Sequence, residues 1–226
     1  MPDLSPTIDG GLIKVGSTWA NTTGDGVDAS SVNTTNQFDN NGINAIDLTA
    51  YNTTQVERCI FEFDTNGISD TPSSATFKVY GKSTGTAGVR GVQCTLATAG
   101  EIVVGDWDSW NESSPVNYTD KIDAGSWSTS GYNTFTLTAA ALSAMASLDN
   151  FQIMLLEADN DYDQSSAGSG LNIAAGLYFQ DDTSASRRPV LSYVEGAAPV
   201  VISPTDLKIV GGNTKLNGGN LKIDNN

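Results

Sequence analysis

Apolar residues in this chain recur at every second position in runs too short for helices, and that period decides most of what the chain can become. In Ala75-Thr76-Phe77-Lys78-Val79-Tyr80 the alternation puts Ala75, Phe77 and Val79 on one face and Thr76, Lys78 and Tyr80 on the other, the mark of a half-buried strand. The run 56–64 is the clearest strand: apolar side chains dominate Val56-Glu57-Arg58-Cys59-Ile60-Phe61-Glu62-Phe63, with charges interleaved, so one face must meet a core. Runs 11–15, 89–96, 101–104, 151–156, 171–180 and 190–194 read as further strands. Asn66-Gly67, Asp70-Thr71-Pro72 and Thr98-Ala99-Gly100 mark turns between them. The polar stretch 21–41 reads as a long loop or a weak strand. Only 138–148 is helical: it is Ala-rich, Leu142, Met145 and Leu148 fall about one turn apart, and Thr138 is placed to cap its start. Short strands broken by Gly and Asn, with a lone helix, predict an all-β sandwich.

At 226 residues the chain has the size of one all-β domain with an appendage. The expected division is a sandwich over 1–196, whose first 55 residues are the least regular, and a tail over 197–226. The tail repeats with a seven-residue period: Leu207-Lys208-Ile209-Val210-Gly211-Gly212-Asn213, Thr214-Lys215-Leu216-Asn217-Gly218-Gly219-Asn220, then Leu221-Lys222-Ile223. Each unit supplies a short strand and a Gly-Gly-Asn turn tolerant of positive φ, and a ribbon of this kind buries too little surface to stand alone. The expectation is a C-terminal β-ribbon that pairs with sister subunits or with a host assembly. Leu207, Ile209, Leu216, Leu221 and Ile223 would anchor it, and Lys208, Lys215 and Lys222 would face an acidic partner.

Acids outnumber bases 26 to 11, giving a net charge of −15. A surface of that sign repels phosphates, so nucleic acid is excluded as a partner; solubility is the plainest consequence of the charge, and cation binding the alternative. Met1-Pro2-Asp3-Leu4-Ser5-Pro6 has neither a basic start nor an apolar run, and nothing later reaches a membrane-spanning length, so the expectation is a protein made in a cytoplasm with no membrane partner. Cys59 and Cys94 lie in apolar runs without metal-site spacing and read as buried thiols, a disulfide being the alternative.

From about 56 to 194 the chain resembles the DNRLRE-type domains, jelly-roll modules related to carbohydrate-binding modules. The resemblance rests on Arg58-Cys59-Ile60-Phe61-Glu62-Phe63-Asp64 followed by Ala75-Thr76-Phe77-Lys78-Val79-Tyr80, on Asp106-Trp107-Asp108-Ser109-Trp110-Asn111, and on Arg187-Arg188-Pro189-Val190-Leu191-Ser192-Tyr193. It implies a two-sheet jelly roll of the kind found in secreted polysaccharide-active proteins, cell-surface proteins and structural proteins of bacterial viruses. A stand-alone jelly roll with an adhesive tail suits a virion best. The leading expectation is therefore an outer capsid decoration protein of a bacteriophage, bound to the major capsid protein or another virion protein and homo-oligomeric, a trimer being one form. The alternatives are a carbohydrate-binding module or receptor-binding fibre tip directed at a cell-surface glycan, and a polysaccharide-degrading enzyme.

The absence of histidine removes histidine-based triads and histidine zinc sites. Asp106, Asp108 and Glu112 beside Trp107 and Trp110 keep a carboxylate-pair glycosidase conceivable, but acids beside Trp more often satisfy backbone donors, so no catalytic residue is expected. For sugar stacking the candidates are Trp110, Tyr118 and Trp127, with Trp127 expected to be exposed and Trp107 structural. Asp159-Asn160-Asp161-Tyr162-Asp163 offers oxygen ligands at alternate positions. It lacks the glycine and the bidentate glutamate of an EF-hand, which leaves Asp159, Asp161 and Asp163, with Asp181-Asp182, as a simpler candidate calcium site and calcium as the one candidate cofactor.

Overall fold

A computed structural model describes residues 1–18, 26, 28–34, 43–48, 53–98, 100–165 and 171–197. Strands dominate, with one α-helix among the described residues. The order is β1 (Asp3–Leu4), β2 (Ile8–Gly16), β3 (Ser31–Asn33), β4 (Ile43–Leu48), β5 (Thr53–Asp64), β6 (Ser74–Gly85), β7 (Val89–Gln93), β8 (Tyr132–Thr136), α1 (Ala139–Ser147), β9 (Asn150–Glu157), β10 (Leu171–Leu177) and β11 (Val190–Val194). All pairings are antiparallel and form two sheets, the all-β sandwich expected.

The first sheet runs β1-β11-β6-β8. The second is built on β5, which has β2 and then β3 along one side; along the other, its first half pairs with β4 and its second half with β9, which continues to β7. Strand β10 joins β4 to the far end of β6, where a register shift between Ala175 and Gly176 links the two sheets at a corner.

The period-two pattern of β5 explains both faces of the second sheet. Odd positions Cys59, Phe61 and Phe63 point between the sheets and meet Phe77 and Val79 of β6 and Phe135 of β8. The rings of Phe61 and Phe77 stand edge to face with centroids 5.0 Å apart, a favoured geometry for buried aromatics. Even positions Val56 and Ile60 point to the opposite face and join Val92, Cys94, Met154, Leu156, Trp107 and Trp110 in a second core under the 94–112 loop. A sheet buried on both faces needs apolar residues at both parities, hence the nearly continuous apolar character of 56–63.

Several expectations shift. The run 101–104 makes only an isolated bridge from Glu101 to Thr98 before a 3₁₀ turn at Val104–Asp108, because the Asp106 carboxylate takes the N–H groups that a strand partner would have taken. The helix starts under its Thr138 cap as expected, but it buries Ala141, Ala144 and Met145, while Leu148 lies beyond the end and is 44% exposed. Strand 89–96 stops at Gln93. Within 21–41, Ser31–Asn33 is a strand on the edge of β2, and residues 21–25, 27 and 35–41 lie outside the described residues. The expected tail ribbon, with Leu207, Lys208, Ile209, Lys215, Leu216, Leu221, Lys222 and Ile223, also lies outside them.

Cys59 and Cys94 are free thiols, one in the inter-sheet core and the other in the second core on the opposite face of the same sheet. Burial, then Glu57 and Asp9, pushes the Cys59 thiol up; burial, then Asp106, does the same for Cys94. Neither should react with a thiol reagent in the native protein, and both should react after unfolding without reductant, which a colorimetric thiol count under the two conditions will show.

Candidate functional site

A buried polar cluster is centred on Arg58, in the middle of the outward face of β5. Its side chain is fully buried. The loop over this face brings Trp107 and Trp110 to the guanidinium, 4.0 and 5.2 Å from its carbon to the ring centroids. The turn after β9 brings Asp161, which accepts from Nε at 2.8 Å and from Nη2 at 2.7 Å, a bidentate fork. Nη1 donates to the Trp107 carbonyl at 2.7 Å, and Nη2 also reaches Glu112 at 3.3 Å. Burial alone would favour discharge of the guanidinium; Asp161 and then Glu112 more than reverse this, so Arg58 stays charged.

The neighbouring groups continue the stack. Tyr162 lies against Trp110 with centroids 6.2 Å apart, and Arg90 covers Tyr162 at 4.7 Å. The turn that carries Asp161 is held from below: Glu157 accepts the main-chain N–H of Asp159 at 2.9 Å, Asn160 at 2.6 Å and Asp161 at 3.1 Å. Burial raises the Glu157 carboxyl and these three amides pull it back, leaving it above its ordinary value.

The structure redistributes the residues singled out by sequence. Asp159, Asp161 and Asp163 do not converge: Asp161 is spent on Arg58, Asp159 pairs with Lys121 at 2.7 Å, and Asp163 is exposed. Asp182 is likewise engaged, by Arg187 at 2.9 Å. Among the described residues no group of three or more acids and cysteines is arranged to hold a metal ion.

The expectation that Trp127 is exposed is corrected. It is 6% exposed and packs against Phe135 in the inter-sheet core, since the loop that carries it folds inward where Asn133 and Ser128 bond each other. Trp110 and Tyr118 are buried as well, Tyr118 stacked on Phe151 at 5.1 Å, so none of the three presents an open ring face for stacking. The would-be catalytic acids are also committed: Asp106 is fully buried and accepts from Ala97 N and Val103 N at 2.7 Å each, Asp108 accepts from Gly26 N at 2.5 Å, and Glu112 faces Arg58. Against protein-family models and curated protein sequences, the chain matches none.

Sequence reasoning passed over two buried carboxyls, Asp9 on β2 and Glu57 on β5. Both project between the sheets on either side of Cys59, in strands paired Gly11 to Cys59. Burial raises Asp9 to about 7, with Gln180 N–H lowering it and Asp181 adding to the rise; burial raises Glu57 to about 8, against a hydrogen bond from Gln55. The second oxygen of Glu57 is buried without a partner. The signal was an acid at odd parity in β5, the parity that carries Cys59, Phe61 and Phe63.

Proposed function

We propose that this chain is a structural module of a bacteriophage particle, an outer capsid decoration protein that binds and builds and has no catalytic role. The observation that carries this reading is the closed Arg58 cluster. Of the rings and carboxylates that the sequence offers for sugar stacking or hydrolysis, Trp107, Trp110 and Glu112 fasten a loop layer onto the second sheet through Arg58 while Tyr118 and Trp127 fill the core between the sheets, and such a device favours rigidity over chemistry. Three clefts on the described surface, at 200–270 Å³, each fall below the roughly 300–1,000 Å³ of ordinary ligand pockets. The sequence of the tail supplies the attachment: apolar anchors alternate with Lys208, Lys215 and Lys222 on a chain that is otherwise strongly acidic, a pattern suited to an acidic partner such as the major capsid protein.

Immunogold labelling tests the proposal. Antibodies against the sandwich, applied to particles purified from a lysed culture of the producing bacterium, should label the shell regularly. Label confined to a fibre tip would favour the receptor-binding alternative, and chain found only free in solution would end the proposal.

A further inference from the structure

The two sheets differ in what lies on their outward faces. On the second, the 94–112 loop layer covers Val56, Ile60 and Met154. On the first, Tyr132, Thr134 and Thr136 of β8 are exposed, and Thr76, Lys78, Tyr80 and Lys82 of β6 are half-buried. Register sets three tyrosines in one row across this face. Tyr132 stands opposite Tyr80, and Tyr178, one residue past β10, donates its N–H to the Tyr80 carbonyl at 3.1 Å. The rings meet edge to face, with centroids 5.3 and 6.0 Å apart. Every hydroxyl of the row is tied to the protein: Tyr80 donates to the Ser130 carbonyl, Tyr132 donates to the Arg188 carbonyl, and the Tyr178 hydroxyl accepts from Arg187 Nη1. The rings are thus fixed before any partner arrives.

The charge of this face opposes that of the chain. Strands β6, β8 and β11 contain no acid, although acids outnumber bases 26 to 11 in the whole sequence. Lys78 lies in the next row, between Thr134 and Val190, and has no ion-pair partner among the described residues. Lys82 and Arg187 lie over the Tyr178 ring, 5.5 and 4.3 Å from its centroid. Asp182 is 5% exposed and already paired with Arg187, so it cancels little of the positive potential that reaches solvent.

We propose that the outward face of the first sheet docks an acidic polypeptide segment, whose carboxylates meet Lys78 and Lys82 while its apolar or aromatic side chains enter the angles between the tyrosines. Tyr and Arg are the residues that most often anchor protein–protein contacts. Charge selects the sign of the partner and excludes two others: a second copy presenting the same face, and the chain's own tail with Lys208, Lys215 and Lys222, would each be repelled. Ring geometry selects its class. A sugar chain stacks on rings that share one floor, whereas here Tyr80 crosses Tyr132 at 77° and Tyr178 at 63°.

Fluorescence anisotropy of a labelled random copolymer of glutamate and tyrosine, titrated with the full chain at low salt, tests the proposal. Changing Lys208, Lys215 and Lys222 to Gln keeps the tail from contributing. This chain should bind the copolymer, less tightly as salt is added, and should prefer it to polygalacturonate. Lys78→Glu should weaken binding by about tenfold or more, while Lys14→Glu, an equal change of net charge on the second sheet, should leave it within about twofold. Tyr132→Ala should erase the preference for the copolymer over plain polyglutamate. The proposal is overturned by absence of binding at low salt, by equal losses from Lys78→Glu and Lys14→Glu, or by a copolymer preference that survives Tyr132→Ala. Tighter binding of polygalacturonate overturns it in favour of an acidic sugar. The probe requires no particle, so failure here is separate from failure of the capsid assignment.

Discussion

Arg58→Met should lower the unfolding free energy by about 3–5 kcal/mol, the usual consequence of stripping one partner from a buried ion pair. The change removes both donors to Asp161, one to Glu112 and one to the Trp107 carbonyl, and leaves the Asp161 carboxylate in a site with no exposure to water. For a chain of this length the melting temperature should fall by about 10 °C. Arg58→Lys should recover little, since an ammonium can neither fork onto a carboxylate nor lie flat between two indoles. The decisive variant is Arg58→Met combined with Asp161→Leu. If the cost of the single change is an uncompensated charge, the double variant should regain most of the stability. If the cost is lost packing around Trp107 and Trp110, it should regain none. Guanidinium unfolding followed by tryptophan fluorescence reads both, and a loss below 1 kcal/mol for Arg58→Met would contradict the role given to the cluster.

What could be read from the sequence followed what a short window of residues can encode. Strand 190–194 and the alternation of Ala75, Phe77 and Val79 emerged as expected because period two is local. The Thr138 cap was legible for the same reason. Strand β8 was missed, since it carries only two inward residues, Asn133 and Phe135, and its identity depends on β6 beside it. The error over Trp127 has the same origin: flanking Ser and Gly suggested exposure, but the direction of the ring is set by the Asn133–Ser128 bonds and by Phe135. The loop 159–163 had the composition of an ion-binding turn. Its central acid serves a guanidinium instead, a partner 103 residues away in sequence that no local pattern reveals. Asp9 and Glu57 were legible in principle, because each sits at a parity that a core requires, but burial had first to be known.

Those two carboxyls should make the protein most stable in mild acid and progressively weaker as pH rises from about 4 to about 8. Their ordinary values are 3.8 and 4.5, and in the folded chain burial raises them to about 7 and about 8. Between these limits the unfolded chain has released the protons and the folded chain still holds them, so unfolding releases protons and a rise in pH favours it. Each group can contribute a slope approaching about 1.4 kcal/mol per pH unit over its own window. Below pH 4 both states are protonated and the effect vanishes; above pH 8 the full cost is present. Repulsion among the surface acids of a chain carrying 26 of them has the same sign, so the two causes must be separated. Salt does so, because exposed charges are screened at a Debye length of about 3 Å in 1 M salt while buried ones are screened much less. Urea unfolding at pH 5 and pH 8.5 in high salt should therefore retain a difference of several kcal/mol. The pair Asp9→Asn and Glu57→Gln, which keeps an acceptor oxygen for Gln180 N–H and for Gln55, should remove most of it. A pH profile that high salt flattens in the wild type would assign the effect to the surface and show that these interior acids ionise without consequence.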